Sequence, residues 1–175
     1  MTLHHLFSIG FALSVAGVMA GCGEAVREPG GGAAIVGGAY LLDEEPAGAK
    51  DVLDALASAK DGEKVTVVGR IGGAPDPWVT DVAAFHLVDT SLTPCNERGE
   101  DDGCEIPWDY CCEPDLATSK TFVKVVDANG EVVATGAKDL LGVKELQTVV
   151  VKGKAQRVDD KSLTVLADKV YVKKP

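Results

Sequence analysis

The sequence predicts a mainly β domain, and three observations lead there. Hydrophobic residues make up 46% of the 175-residue chain while aromatics supply only 5%. The apolar content is therefore carried by small and β-branched side chains, of which Val suits a pleated, half-buried surface. Second, Val65, Val67, Gly69 and Ile71 alternate with Thr66, Val68 and Arg70, the period of a strand with one face toward a core. Third, Gly stands between apolar residues in two strand-like segments, Val67-Val68-Gly69-Arg70-Ile71 and Val151-Lys152-Gly153-Lys154-Ala155. Glycine inside a strand weakens it, so its placement marks a bend or bulge where a small barrel turns a corner.

The elements follow in order. Leu6 to Ala20 form an almost unbroken apolar run that stops at Ala20-Gly21-Cys22, with Glu24, Arg27 and Glu28 directly after it. A secretory apolar core runs about 7 to 15 residues and a membrane span needs about 20, so residues 1–21 are expected to be a signal peptide and are set aside from the fold. Residues 22–46 carry Gly30-Gly31-Gly32, Gly37-Gly38 and two prolines, the composition of a flexible linker in which Ala33 to Val36 and Ala39 to Leu42 can dock locally.

The folded domain is expected over residues 47–175. Ala49, Val52, Leu53, Leu56 and Ala57 share one helical face ahead of Asp61-Gly62, predicting a helix over 48–60. Strands are expected at 65–71, 83–89 and 121–126, then a tight hairpin at Asp127-Ala128-Asn129-Gly130 with a short strand over 131–135. A brief helical or looped stretch at 138–146 precedes strands at 148–158 and 163–172. An insert over 90–120 separates the second and third main strands.

Val18-Met19-Ala20-Gly21-Cys22 resembles the bacterial lipobox, although Met19 stands where that motif favours Leu and only His4 and His5 stand where Lys or Arg is usual. The resemblance implies a mature chain that begins at Cys22 and carries a diacylglyceryl lipid there. It would hold the domain on the cell membrane or outer membrane, facing the periplasm or exterior. Gly23 is not the Asp that retains some such proteins on the inner membrane.

Charge narrows the partners. The formal net charge is -10, which disfavours a nucleic-acid binder because affinity for phosphate backbones comes from Lys and Arg displacing counterions. The distribution is polar: Cys95 to Asp115 holds eight acidic residues against one basic, whereas Lys138 to Pro175 holds nine basic against five acidic.

With Cys22 assigned to lipid, Cys95, Cys104, Cys111 and Cys112 remain of the five cysteines, an even number in an oxidising compartment. Two disulfides are the leading expectation, each contributing roughly 2 to 4 kcal/mol to an insert with few apolar residues. A bond between neighbours closes a strained ring, so Cys95 and Cys104 are each expected to pair with one member of the Cys111-Cys112 doublet. The competing reading has the four thiolates, joined by His86, holding Zn(II) or Cu(I). The spacing lacks the close Cys pairs usual in zinc sites, and no cofactor is otherwise implied.

The alternating Val65, Val67, Gly69 and Ile71 in the first strand, matched by Val149, Val151, Gly153 and Ala155 in the fourth, look like the extracytoplasmic bacterial OB-fold family over residues 48–173. The resemblance implies a five-stranded barrel with a leading helix, its cysteine-rich insert lying between strands 2 and 3. It also implies a binding face on those two strands, used in such barrels for oligonucleotides, oligosaccharides or proteins. Trp78, Trp108 and Tyr110 are candidates to stand at the rim of that groove and stack on a ligand.

The remaining chemistry is sparse. His86 is the single histidine after residue 21, and alternation sets it beside Ala84 and Val88, with no recognisable nucleophile motif, so no enzyme activity is expected. Glu97, Glu100, Asp101, Asp102 and Glu105 offer oxygen ligands for Ca(II) without EF-hand spacing. Lys152, Lys154 and Arg157 lie near one outward strand face that could meet an anionic ligand or headgroups. The functional expectation is a membrane-tethered OB-fold binding or interaction module. A metal-binding lipoprotein using the cysteine insert, and an envelope scaffold with a protein partner and no small ligand, are the rivals.

Overall fold

A computed structural model describes residues 37–99 and 104–174, so the signal segment, Cys22 and most of the linker lie outside the described residues. Within them the elements are β1 (Lys50–Asp51), α1 (Val52–Ser58), β2 (Lys64–Ile71), β3 (Ala84–Val88), β4 (Lys120–Val125), α2 (Ala137–Leu141), β5 (Thr148–Gln156) and β6 (Thr164–Val172). The sheet order is β1-β2-β3-β4-β6-β5, and β5 returns to pair with β2. Strands β2 to β6 thus close a five-stranded barrel of OB-fold type, with β4 and β6 parallel and the other barrel pairs antiparallel. Among the described residues no helix is long and apolar enough to cross a membrane.

The alternation read from the sequence is the alternation of the wall. Val67 and Ile71 of β2, Phe85 and Leu87 of β3, Val123 and Val125 of β4, Val149 and Val151 of β5, and Val165 and Ala167 of β6 fill the interior with no exposed surface. The two strand glycines lie on the closing pair, Gly69 opposite Val149 and Gly153 opposite Val65. Gly153 sits at a shift in register between β5 and β6, and a Cβ there would stand 1.9 Å from the Leu166 carbonyl oxygen. A Cβ on Gly69 would stand 2.6 Å from the Leu87 side chain. Curvature and close approach therefore require glycine at both places.

Helix α1 is shorter than the expected 48–60. Lys50 and Asp51 are drawn into parallel pairing with Val67 and Val68, so the helix starts at Val52. Its ends are completed by side chains from elsewhere. The Leu53 N–H donates to Asp89 Oδ2 at 2.8 Å, and the Arg157 guanidinium donates to the carbonyls of Leu56 and Ala59. An anion at the N-terminus and a cation at the C-terminus both match the helix dipole. Arg157 is thereby turned away from the outward lysines with which the sequence grouped it.

The strand expected over 131–135 reduces to one bridge, Val126 with Val132. Both edges of β4 are already occupied, by β3 and by β6, so that segment makes only isolated bonds, Val133 N–H donating to the Val125 carbonyl and Ala83 N–H to the Val133 carbonyl. The turn before it forms as expected: Asp127 accepts hydrogen bonds from the N–H groups of Asn129 and Glu131, and Gly130 takes a positive φ of 84°. Helix α2 ends at Gly142, also in the left-handed region, and places Ala137, Leu140 and Leu141 in the core. Ala39 to Leu42 does dock: Leu42 N–H donates to the Val170 carbonyl and Val170 N–H to the Tyr40 carbonyl, laying this segment along β6.

Replacing Gly153 with Ala forces Cβ into backbone atoms that cannot yield. We expect G153A to lose about 3 kcal/mol of folding free energy or to fail to fold, read by chemical denaturation against wild type. Retention of wild-type stability would show that the β5–β6 bulge is not the constraint described.

Candidate functional site

The insert between β3 and β4 has little regular structure, and three short 3₁₀ turns set its shape: Cys95–Glu97, Pro107–Asp109 and Leu116–Thr118. Pro107 pre-sets the backbone at the start of the second turn. Tyr110, in the left-handed conformation at φ 57°, ends it and swings Cys111 and Cys112 back toward Cys95. Asp109 secures that reversal, its Oδ1 accepting the Cys111 N–H at 2.8 Å. Glu113 then joins the two arms, accepting the Thr93 N–H at 2.9 Å and an ion pair from Arg98. The Thr93 hydrogen bond is the first reason that the Glu113 carboxyl is held below the usual carboxylate range.

The insert is seated on the end of β2. Gly73 N–H donates to the Trp108 carbonyl at 2.8 Å, and the Trp108 indole N–H donates to the Pro75 carbonyl at 3.0 Å. Gly73 has φ of 86°, and a Cβ on it would meet Val88 at 2.6 Å. Lys120 donates to the Gly73 carbonyl, and Arg70 of β2 pairs with Glu97 at 2.9 Å. Tyr110 is fully buried, its ring against Gly72 and its hydroxyl beside Arg70 without hydrogen-bond geometry. Burial pushes the phenol up to about 12, with the Arg70 charge opposing.

These contacts bring the four cysteines of the insert to one point. Their Sγ atoms all lie within 4.8 Å of one another. The closest pair, Cys104 and Cys111, is at 3.3 Å; Cys95–Cys111 and Cys104–Cys112 are at 3.7 Å, and Cys111–Cys112 is at 3.8 Å. The two disulfides expected from the compartment are not formed, since a bond needs about 2.05 Å between sulfurs. Instead the thiols occupy the corners of one compact figure, with Cys95 buried beneath and Cys111 and Cys112 facing solvent.

Their acidities reflect that convergence. Burial opposes ionisation of Cys95, but hydrogen bonds from the Cys104 thiol and the Cys112 N–H outweigh it and hold Cys95 below the usual thiol range. Cys104, favoured as an acceptor by Cys111 but engaged also with Cys95 and Cys112, is pushed up to about 11. Cys111 is pushed up further by its bonds to Cys104, Cys95 and Asp109. Four sulfurs this close cannot all carry charge unless a cation joins them.

The other candidates from the sequence are placed elsewhere. His86 lies on the outer face of β3 beside Phe122, ring centroids 5.0 Å apart, and is not part of the cysteine group it was expected to join. Trp78 is engaged internally: its indole N–H donates to Glu145 at 2.7 Å, Lys138 sits 5.0 Å over the ring, and Phe85 packs against it. Tyr110, being buried, offers no face to a ligand, whereas Trp78 and Trp108 are both half-buried, the latter within the insert. Of the acidic run, Glu97 is tied to Arg70, and residues 100–103 lie outside those described.

No protein-family model matches the chain, and no curated protein is significantly similar to it. Its class is therefore defined by the barrel and by the four-cysteine group.

Burial, and then the Lys120 charge, lower the His86 pKa from its ordinary 6.5. The unfolded chain then binds more protons than the native one at mildly acid pH, so stability decreases as pH falls through about 6.5. Denaturation midpoints between about pH 5 and 8 should show a shallower acid-side slope in H86Q than in wild type. Identical slopes would remove the imidazole as the source.

Proposed function

We propose that this chain is a lipid-tethered, extracytoplasmic OB-fold module whose insert is organised by a single Zn(II) ion held by Cys95, Cys104, Cys111 and Cys112. One observation carries the metal reading. A tetrahedral ion with Zn–S bonds of about 2.3 Å requires sulfurs about 3.8 Å apart; four of the six sulfur pairs stand 3.3 to 3.8 Å apart, and all six lie within 4.8 Å. Zinc suits the set better than other cations, because thiolates are soft ligands and this ion has no redox chemistry to spend on them in an oxidising compartment.

The role that fits is structural. Four thiolates fill a tetrahedral shell and leave no open position for a substrate, whereas catalytic zinc keeps one. The ion would fix the path of residues 91–119 over the end of β2 and β3, so that the insert and the β3–β4 face form one recognition surface. A binding or scaffold function follows from that arrangement rather than an enzymatic one.

Protein purified without chelator and under reducing conditions should contain one zinc per chain, and cobalt substitution should give an intense sulfur-to-metal band in the near ultraviolet. C95S should lose stoichiometric metal and expose residues 91–119 to rapid amide exchange while the barrel strands keep their protection. Metal-free protein with two disulfides in non-reduced peptide maps would overturn the zinc reading.

The tether rests on the lipobox resemblance at Cys22. The C22S chain is expected in the soluble extracytoplasmic fraction and wild type in the membrane fraction; membrane retention of C22S would sink the anchor.

A further inference from the structure

A cleft of about 610 Å³ opens on the outer wall of β2, β5 and β6, and none of its lining residues belongs to the insert. Lysines dominate it by virtue of strand register. Lys64 stands directly opposite Lys154 across β2 and β5, and Lys152 directly opposite Lys169 across β5 and β6. Directly opposed residues share a face, and like charges so placed are destabilising unless something answers them. Among the described residues, Lys64, Lys152 and Lys154 enter no ion pair. Lys169 donates to the Ala39 carbonyl. Asp127 and Asp168 also border the cleft, the first already committed to its own turn, so positive charge remains in excess.

The remaining wall says what answers those lysines. Ala39 and Tyr40 line the cleft, and they are the residues at which the chain arrives from the Cys22 side. Fourteen residues lie between Cys22 and Gly37, a span of at most about 50 Å when fully extended. A domain held by Cys22 therefore has this cleft beside the entry of its own tether. We propose that the cleft binds the phosphate groups of anionic phospholipid headgroups, so that the barrel docks on the membrane surface through Lys64, Lys152, Lys154 and Lys169. The lipid as source of the phosphate rests on the tether reading; the preference of the cleft for phosphate does not.

The test uses the full chain carrying C22S, which has no acyl group, and vesicles of phosphatidylcholine with or without phosphatidylglycerol. Salt-sensitive co-sedimentation with the anionic vesicles is expected, and K152Q/K154Q should weaken it about fivefold per lysine removed. The charge-matched control K144Q/K161Q, on exposed lysines outside the cleft, should bind as the parent does. Equal weakening by the control pair, or no preference for anionic vesicles, would overturn the proposal. Full displacement from the vesicles by millimolar inorganic phosphate at constant ionic strength would reassign the cleft to a soluble phosphate and overturn the headgroup as its ligand. Fractionation of the wild-type chain reports on Cys22 alone, so the anchor and the cleft can fail separately.

Discussion

The pairing of β2 with β5 is the contact on which the rest of the molecule depends. It runs from Lys64 opposite Lys154 to Arg70 opposite Thr148 and converts an open sheet into a closed barrel. Closure gives the Val-rich inner face a dry interior without any large aromatic cluster to fill it. The two glycines of this pair answer to the strands on either side, since a Cβ on Gly69 would meet Leu87 of β3 and one on Gly153 the Leu166 carbonyl of β6. The same register aligns the outward lysines, so the geometry that makes the core also makes the charged cleft.

The insert depends on the barrel in turn. Its own apolar content is small, and its turns are held by Asp109 and Glu113 accepting backbone N–H groups and by Trp108 hydrogen-bonded to the Gly72–Pro75 loop. Among its described residues Tyr110 is the one large side chain that it buries, and the absence of a β-carbon at Gly72 makes room for that ring. The four free thiols are gathered on one side of these docked turns.

Helix α1 shows the same dependence on distant residues. Seven residues make a marginal helix, and Asp51 at its N-cap makes no side-chain capping bond. Asp89, at the start of the insert, and Arg157, after β5, supply opposite charges to the two ends. The helix is therefore stable only in the assembled domain, where Val52 and Ala55 are also buried.

Much of the barrel was legible in the sequence because its information is local. Alternation over Val65 to Ile71 and Thr148 to Ala155 assigns inward faces residue by residue, and a glycine at the centre of each marks the strands that bend. The even set of four cysteines in the insert was equally plain. What the sequence could not decide were relations between distant residues. Lys50 and Asp51 join a strand because β2 offers them an edge, and residues 131–135 fail to form one because β4 has none left. His86 and the cysteines are parted because one faces outward from β3 while the others are folded back over β2. Four thiols with irregular spacing converge only after Gly72 and Gly73 have received the Trp108 to Tyr110 turn, and cross-strand lysines become one cleft only once the barrel closes. Local pattern specifies which face a residue presents; tertiary packing alone specifies what it meets there.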